Sequence, residues 1–137
     1  MSIELTIVTP QGEAFRGAVE SAVLPGSEGD FGVLRSHERF LTPLRIGEVE
    51  IRTERESLLA SIAHGFAEVT GEEVVVLVES CELAHEIDVA RAELARERAE
   101  QGLAQLVDPE EQRYREYDAA LQRAHTRIRV GAKAGQP

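Results

Sequence analysis

Four arginines are the residues of this 137-residue chain best suited to hold a ligand. Arg91 and Arg98 stand seven apart, two turns along one side of a helix, and Arg123 and Arg127 stand four apart, one turn. Guanidinium groups fork onto phosphate oxygens, so the four converging from two helices would suit a polyphosphate. Solvated helix faces carry the same residue types at the same spacing, and spacing alone leaves both readings open. Gly26, Gly29 and Gly32 in P-G-S-E-G-D-F-G suggest a phosphate cradle, but the Lys-Ser/Thr of a P-loop is absent and Glu28 and Asp30 would repel phosphate. A turn in which glycine supplies positive φ is the expected structure. His37, His64, His85 and His125 lack metal-ligand spacing. Neither Ser36 beside His37 nor Cys81 sits in a nucleophile motif, so no enzyme active site is expected.

The elements that must carry the arginines begin within residues 81–102. Before that stretch the chain has short strands and turns; after Asp88 it is dense in Ala, Glu, Arg and Leu, strong helix formers. Asp88 is the expected N-cap, its carboxylate accepting from first-turn amides at the positive end of the dipole. Ala92, Ala95, Ala99, Leu103 and Leu106 form a narrow strip for close packing on a second helix, with Arg91, Leu94 and Arg98 on a neighbouring face. Asp108 as cap, Pro109 at the first helical position and Glu110 and Glu111 in the first turn predict where that second helix starts. Tyr114, Tyr117, Leu121, Ala124 and Ile128 make its stripe. The short connection after Leu106 predicts an antiparallel hairpin, and residues 131–137 read as a frayed tail.

Upstream, Ile3, Leu5 and Ile7 alternate with Glu4 and Thr6, as a strand with one buried face would, until Pro10-Gln11-Gly12 breaks the pattern. Residues 19–24 form a second candidate ended by Pro25-Gly26. Residues 31–35, 41–46, 48–52, 57–62, 66–69 and 74–78 follow, with Gly71-Glu72 as a turn between the last two. Many short strands with frequent turns predict an antiparallel β-sandwich or barrel. Residues 74–78 are wholly apolar, as a central strand would be.

Hydrophobic residues make up 42% of the chain, enough for a modest core, and aromatics only 4%, so the core is aliphatic. A net charge of −10 argues against a nucleic-acid binder. Residues 1–80 hold 14 acids and 6 bases, residues 81–118 hold 11 and 5, and residues 119–137 hold no acid and 4 bases. The basic end could seek an acidic partner, or could simply compensate a helix dipole. The single cysteine excludes an internal disulfide and is compatible with a reducing compartment. Without a signal-like start or a run of about 18 apolar residues, any membrane role is expected to be peripheral.

V-T-P at 8–10, L-P-G-S-E-G-D-F-G-V-L at 24–34, His37, L-T-P-L-R-I-G at 41–47, G-F-A-E-V at 65–69, V-V-V-L-V-E at 74–79 and I-D-V-A-R-A at 87–92 occur in one order along nearly the whole chain. In this the chain resembles the epsilon subunit of the bacterial rotary F-type ATP synthase. It departs at R-S-H-E-R-F, where the family more often has P-G-H-A-P-L, and at His64, where a glycine is frequent.

The resemblance implies a β-sandwich over residues 1–84 that binds the gamma subunit and rests on the ring of c subunits, with Glu28, Asp30 and His37 on the ring-facing side. It implies a helical hairpin over residues 85–137 that moves between a form folded on the sandwich and an extended form restraining ATP hydrolysis. Arg123, Arg127, Arg129 and Lys133 would then meet acidic segments of the alpha/beta catalytic subunits. No cofactor is required, although some members bind ATP as a regulatory ligand. Their motif matches Ile87, Asp88, Arg91 and Ala92, with Glu82, Arg98, Arg123 and Arg127 at the accompanying positions. The implied function is a non-catalytic central-stalk subunit coupling proton flow to ATP synthesis, peripheral on the cytoplasmic face of the bacterial plasma membrane. Two other readings are an ATP-sensing module whose hairpin reports nucleotide, and an unrelated binding sandwich with a helical appendage. An autonomous enzyme has the least support.

Overall fold

The computed structural model describes residues 2–35, 38–108 and 110–134. Ile3, Leu5 and Ile7 are all buried in β1 (Ile3–Thr9), as their spacing requires, but Thr6 is buried too, so β1 is covered on both faces over its middle. The chain reverses at Pro10-Gln11 into β2 (Gly12–Val19), with Gly12 at a φ of 122° that a side chain would strain. The sequence predicts no strand over residues 12–18. Their side chains show no apolar alternation, and β2 is an edge strand paired to β1, with Val19 its one buried residue and Ala14 and Phe15 packed partly buried against the core.

The remaining strands are β3 (Ser21–Gly26), β4 (Gly29–Val33), β5 (Phe40–Leu44), β6 (Gly47–Arg52), β7 (Ser57–Ile62), β8 (Gly65–Val69), β9 (Glu73–Val78) and β10 (Cys81–Leu83). The candidate at 19–24 is divided at Glu20. Pro25 and Gly26 belong to β3 instead of ending it, because the reversal comes later, at Ser27-Glu28, with Gly26 opposite Gly29. Gly29 has a φ of 137°, so the glycine-rich stretch is a hairpin turn. The strands run β10-β7-β6-β3-β5-β8-β9-β1-β2 in one continuous sheet, with β4 paired to β3 off that path. Every pair is antiparallel except β1 with β9, which is parallel. The sheet folds over itself as a β-sandwich around an aliphatic core that includes Leu5, Leu24, Val49, Ile51, Ile62, Val74 and Val76.

A short 3-10 turn at Ala84–Glu86 leads to α1 (Val89–Ala104), and α2 (Gln112–Ala132) follows. Asp88 caps α1 as predicted, its Oδ1 accepting from the Arg91 amide at 3.1 Å. The start of α2 lies later than predicted. Asp108 Oδ1 accepts from the amide of Glu110 at 2.9 Å, closing a local turn, and Glu111 is the N-cap. Pro109 lies outside the described residues.

Ala92, Ala99 and Ala124 are buried between the helices. So is Gly102, where an added Cβ would fall 2.4 Å from the Tyr117 ring. At the other end an added Cβ on Gly131 would fall 2.7 Å from Val89, so the end of each helix meets the start of the other and the hairpin is antiparallel. Gly131 therefore belongs to the packed helix and not to the tail, whose last residues, 135–137, lie outside the described residues. Gly102→Ala should push Tyr117 out of place and destabilise the hairpin by about 1–3 kcal/mol. Hydrogen exchange should then rise in α1 and α2 and stay unchanged in β1 and β9.

Candidate functional site

The C-terminal part of α2 lies against β6, β7 and the 3-10 turn, with Thr126 and Val130 buried on that side. Thr126 satisfies its hydroxyl within the helix, Oγ1 donating to the Gln122 carbonyl at 2.9 Å. Two ion pairs stand beside this contact. Arg127 Nε donates to Glu82 Oε1 at 2.6 Å and its Nη2 approaches Oε2 at 3.5 Å, a forked geometry. Lys133 Nζ donates to Glu48 Oε1 at 2.9 Å. Glu82 is positioned by β10, which pairs with β7 through Glu82 opposite Ser61, and Glu48 by β6, where it is also opposite Ser61. A cleft beside Lys133 is lined by Glu48, Glu50, Glu56, Leu58 and His85.

The residues of the expected ATP site divide into three groups. Ile87 and Ala92 are buried and Asp88 caps α1, so these three serve the hairpin's own structure. Glu82 and Arg127 hold each other. Arg91 and Arg98 are exposed and Arg123 half-buried, and among the described residues none of these three guanidinium groups has an acidic partner.

Of the basic end, Arg127 and Lys133 are paired to the sandwich, and Arg129 is exposed. Of the expected ring-facing residues, Glu28 is exposed at the β3–β4 turn and Asp30 is ion-paired with Arg45. His37 lies outside the described residues. Among the described residues no three of His, Cys, Asp and Glu gather as a metal site, and no helix is long and apolar enough to cross a membrane.

Sequence reading missed two features. Glu48 carried no signal as a partner of Lys133, since the two stand 85 residues apart. The apolar run 74–78 was expected to be a central strand, and β9 is an inner one, but only one of its faces is in the core. On the outer face Leu77 is 54% exposed, beside Phe66 at 54% and near Leu41 at 68%. Leu77 pairs with Phe66 and with Val8, and Phe66 with Pro43, so four strands share one exposed apolar face. The signal was present in the lack of polar alternates in that run.

Cys81, on β10, packs against the sandwich core. Burial first, then the carboxylates of Glu86 and Glu82, push its thiol up from 9.0 to about 12.

Comparison with known proteins places this architecture. The family model described as ATP synthase, Delta/Epsilon chain, beta-sandwich domain, matches residues 2–84, and that of the long alpha-helix domain matches residues 85–131. An ATP synthase epsilon chain from Syntrophobacter fumaroxidans is 44% identical over 131 residues, covering 96% of each chain. One from Geotalea uraniireducens is 40% identical over 134 residues, covering 98% of this chain and 96% of its own. The fold is similar to a chain of the mitochondrial ATP synthase of Euglena gracilis, with a TM-score of 0.81, 23% identity, and 96% and 81% of the two chains covered. It is also similar to one from the central stalk and c-ring of the Tetrahymena thermophila enzyme, with a TM-score of 0.61, 16% identity, and 98% and 96% covered.

The raised thiol pKa gives a test of how β10 is seated. At pH 8 Cys81 should react with iodoacetamide about 100-fold or more slowly in the folded chain than in urea. The unfolded thiol ionises first as pH rises, so the stability it contributes is full below pH 9 and lost toward pH 12. Cys81→Ala should flatten that alkaline loss in thermal unfolding followed by circular dichroism.

Proposed function

The chain belongs to the delta/epsilon chain family of ATP synthases, and from that membership we propose that it is a non-catalytic central-stalk subunit that couples proton flow to ATP synthesis and restrains ATP hydrolysis through its helical hairpin. The observation that carries the regulatory part is the attachment of that hairpin. Its principal contact with the sandwich is the last part of α2, where two partly hydrated ion pairs accompany a small apolar contact. Exposed ion pairs contribute only about 0–1 kcal/mol each, so such an attachment is reversible on the energy scale of a switch. The helices hold each other over a longer and drier surface, so the hairpin can leave the sandwich as one piece.

The partners follow from the surfaces. The exposed face of Val8, Leu41, Pro43, Phe66 and Leu77 suits an apolar helix or strand, and we assign it to the gamma subunit. The β3–β4 turn, with Glu28 at its tip, is the part directed to the c ring; Asp30 braces that turn through Arg45. Arg123, Arg127, Arg129 and Lys133 would engage acidic segments of the alpha/beta catalytic subunits once the hairpin extends, and the contact should weaken with salt. In this assembly the chain sits peripherally on the cytoplasmic face of the bacterial plasma membrane.

A second role, ATP sensing, is favoured by the arginines. Arg91, Arg98 and Arg123 lack acidic partners among the described residues, and the donor set suits a polyphosphate. ATP bound there would hold the hairpin folded.

Truncation after Ala84 should leave the complex assembled and raise its ATPase activity; unchanged activity would remove the inhibitory role. Calorimetric titration of the full chain with ATP should give saturable binding worth about 4–8 kcal/mol, lost in Arg91→Ala and Arg98→Ala. No heat at millimolar ATP would leave these arginines as partner-facing groups.

A further inference from the structure

We infer that Glu48 and Glu82 on the sandwich form an internal stand-in for an acidic partner, occupying Lys133 and Arg127 so that any outside acidic segment must displace them to reach the basic end of α2. The inference rests on the reading that this end meets acidic segments of the catalytic subunits, and names how that contact is regulated.

Three observations lead to it. Residues 119–137 carry four cations and no acidic side chain, so no side-chain carboxylate of that segment can neutralise them. The two that are paired reach back 45 and 85 residues in the chain to acids on different strands, β10 and β6. The same sandwich surface holds further acid, Glu50 and Glu56, around the cleft that Lys133 lines, so the ammonium group lies in a negative field wider than one carboxylate.

The pairs are also built to exchange. Side-chain exposure is 22% for Arg127 and 36% for Glu82, and 41% for Lys133 and 27% for Glu48. Water reaches all four groups, so neither pair pays a large desolvation cost on forming or a large penalty on breaking. Val130, between the two cations along α2, and Thr126, beside Arg127, are buried by the same docking. Detachment therefore frees both cations together, and an acidic competitor that binds them draws the helix off the sandwich as a unit.

A competitor gives acids and bases opposite effects. Neutralising the sandwich acids removes the internal rival and leaves the cations for an outside partner; neutralising the cations removes both contacts. A purely structural pair would give both changes the same sign.

The test uses the full-length chain without nucleotide, with poly-L-glutamate as acidic probe; the readout is hydrogen exchange at residues 126–133, the last turns of α2, which fray once they leave the sandwich while the rest of the hairpin stays folded. In Glu48→Gln/Glu82→Gln the amides should exchange about 5–30-fold faster than in the unaltered chain, and poly-L-glutamate should act at correspondingly lower concentration. Exchange in β1 and β9 reports that the sandwich is intact. Should the double variant fail to fold, Glu48→Gln alone carries the test, with the charge swap Glu48→Lys/Lys133→Glu restoring slow exchange. Unchanged exchange, or an unshifted response to poly-L-glutamate, overturns the inference. In the assembled complex, Glu48→Gln/Glu82→Gln should lower ATPase activity and Arg127→Gln/Lys133→Gln should raise it, and changes of the same sign also overturn it. If truncation after Ala84 leaves the ATPase unaltered, it is the inhibitory reading that fails, and the exchange measurements still decide the internal contact.

Discussion

The two helices approach as closely as they do because small residues lie between them. Ala92, Ala99 and Gly102 on one and Ala124 and Gly131 on the other leave room for Tyr117 to lie over a glycine and for Val89 to lie over its counterpart at the far end. Close approach lets the two helices pack against each other at both ends of the hairpin. The proposed regulation depends on this. A hairpin that needed the sandwich for its own stability would melt on leaving it and could not carry its basic end elsewhere.

The sandwich is a contrasting object, closed on an aliphatic core and offering three surfaces of different chemistry. One is apolar, around Phe66 and Leu77; one is a tight acidic turn at Glu28; one carries the acids that meet α2. Their separation follows from strand alternation. Buried positions of β8 and β9 point to the core, and the residues between them are free to define an outside face without disturbing it.

Much of this was legible in the chain. Regular alternation gave β6 nearly to the residue, a short run in a series of strands and turns gave β7, and Asp88 marked the start of α1, because burial on one face and capping are local demands that local sequence must meet. β2 was not legible, since an edge strand paired through its backbone asks little of its side chains. The start of α2 was misplaced because Asp108 bonds the amide of Glu110 in a turn that a sequence cannot tell from a cap. Of the candidate site, the arginines were found by residue type. Their partners were not: which acid meets Arg127 or Lys133 is decided by how β10 and β6 sit in the sheet, and no spacing within α2 contains that information.

The parallel pairing of β1 with β9 sets the order in which the molecule can be made. Until residues 73–78 have left the ribosome, β1 has only β2 to pair with, and its other edge has no backbone partner. Long-range pairing of this kind makes closure late and slow compared with hairpin or helix formation. The helices are translated after β9, so α2 emerges when its docking surface can already exist. The helices thus meet a platform that is already finished.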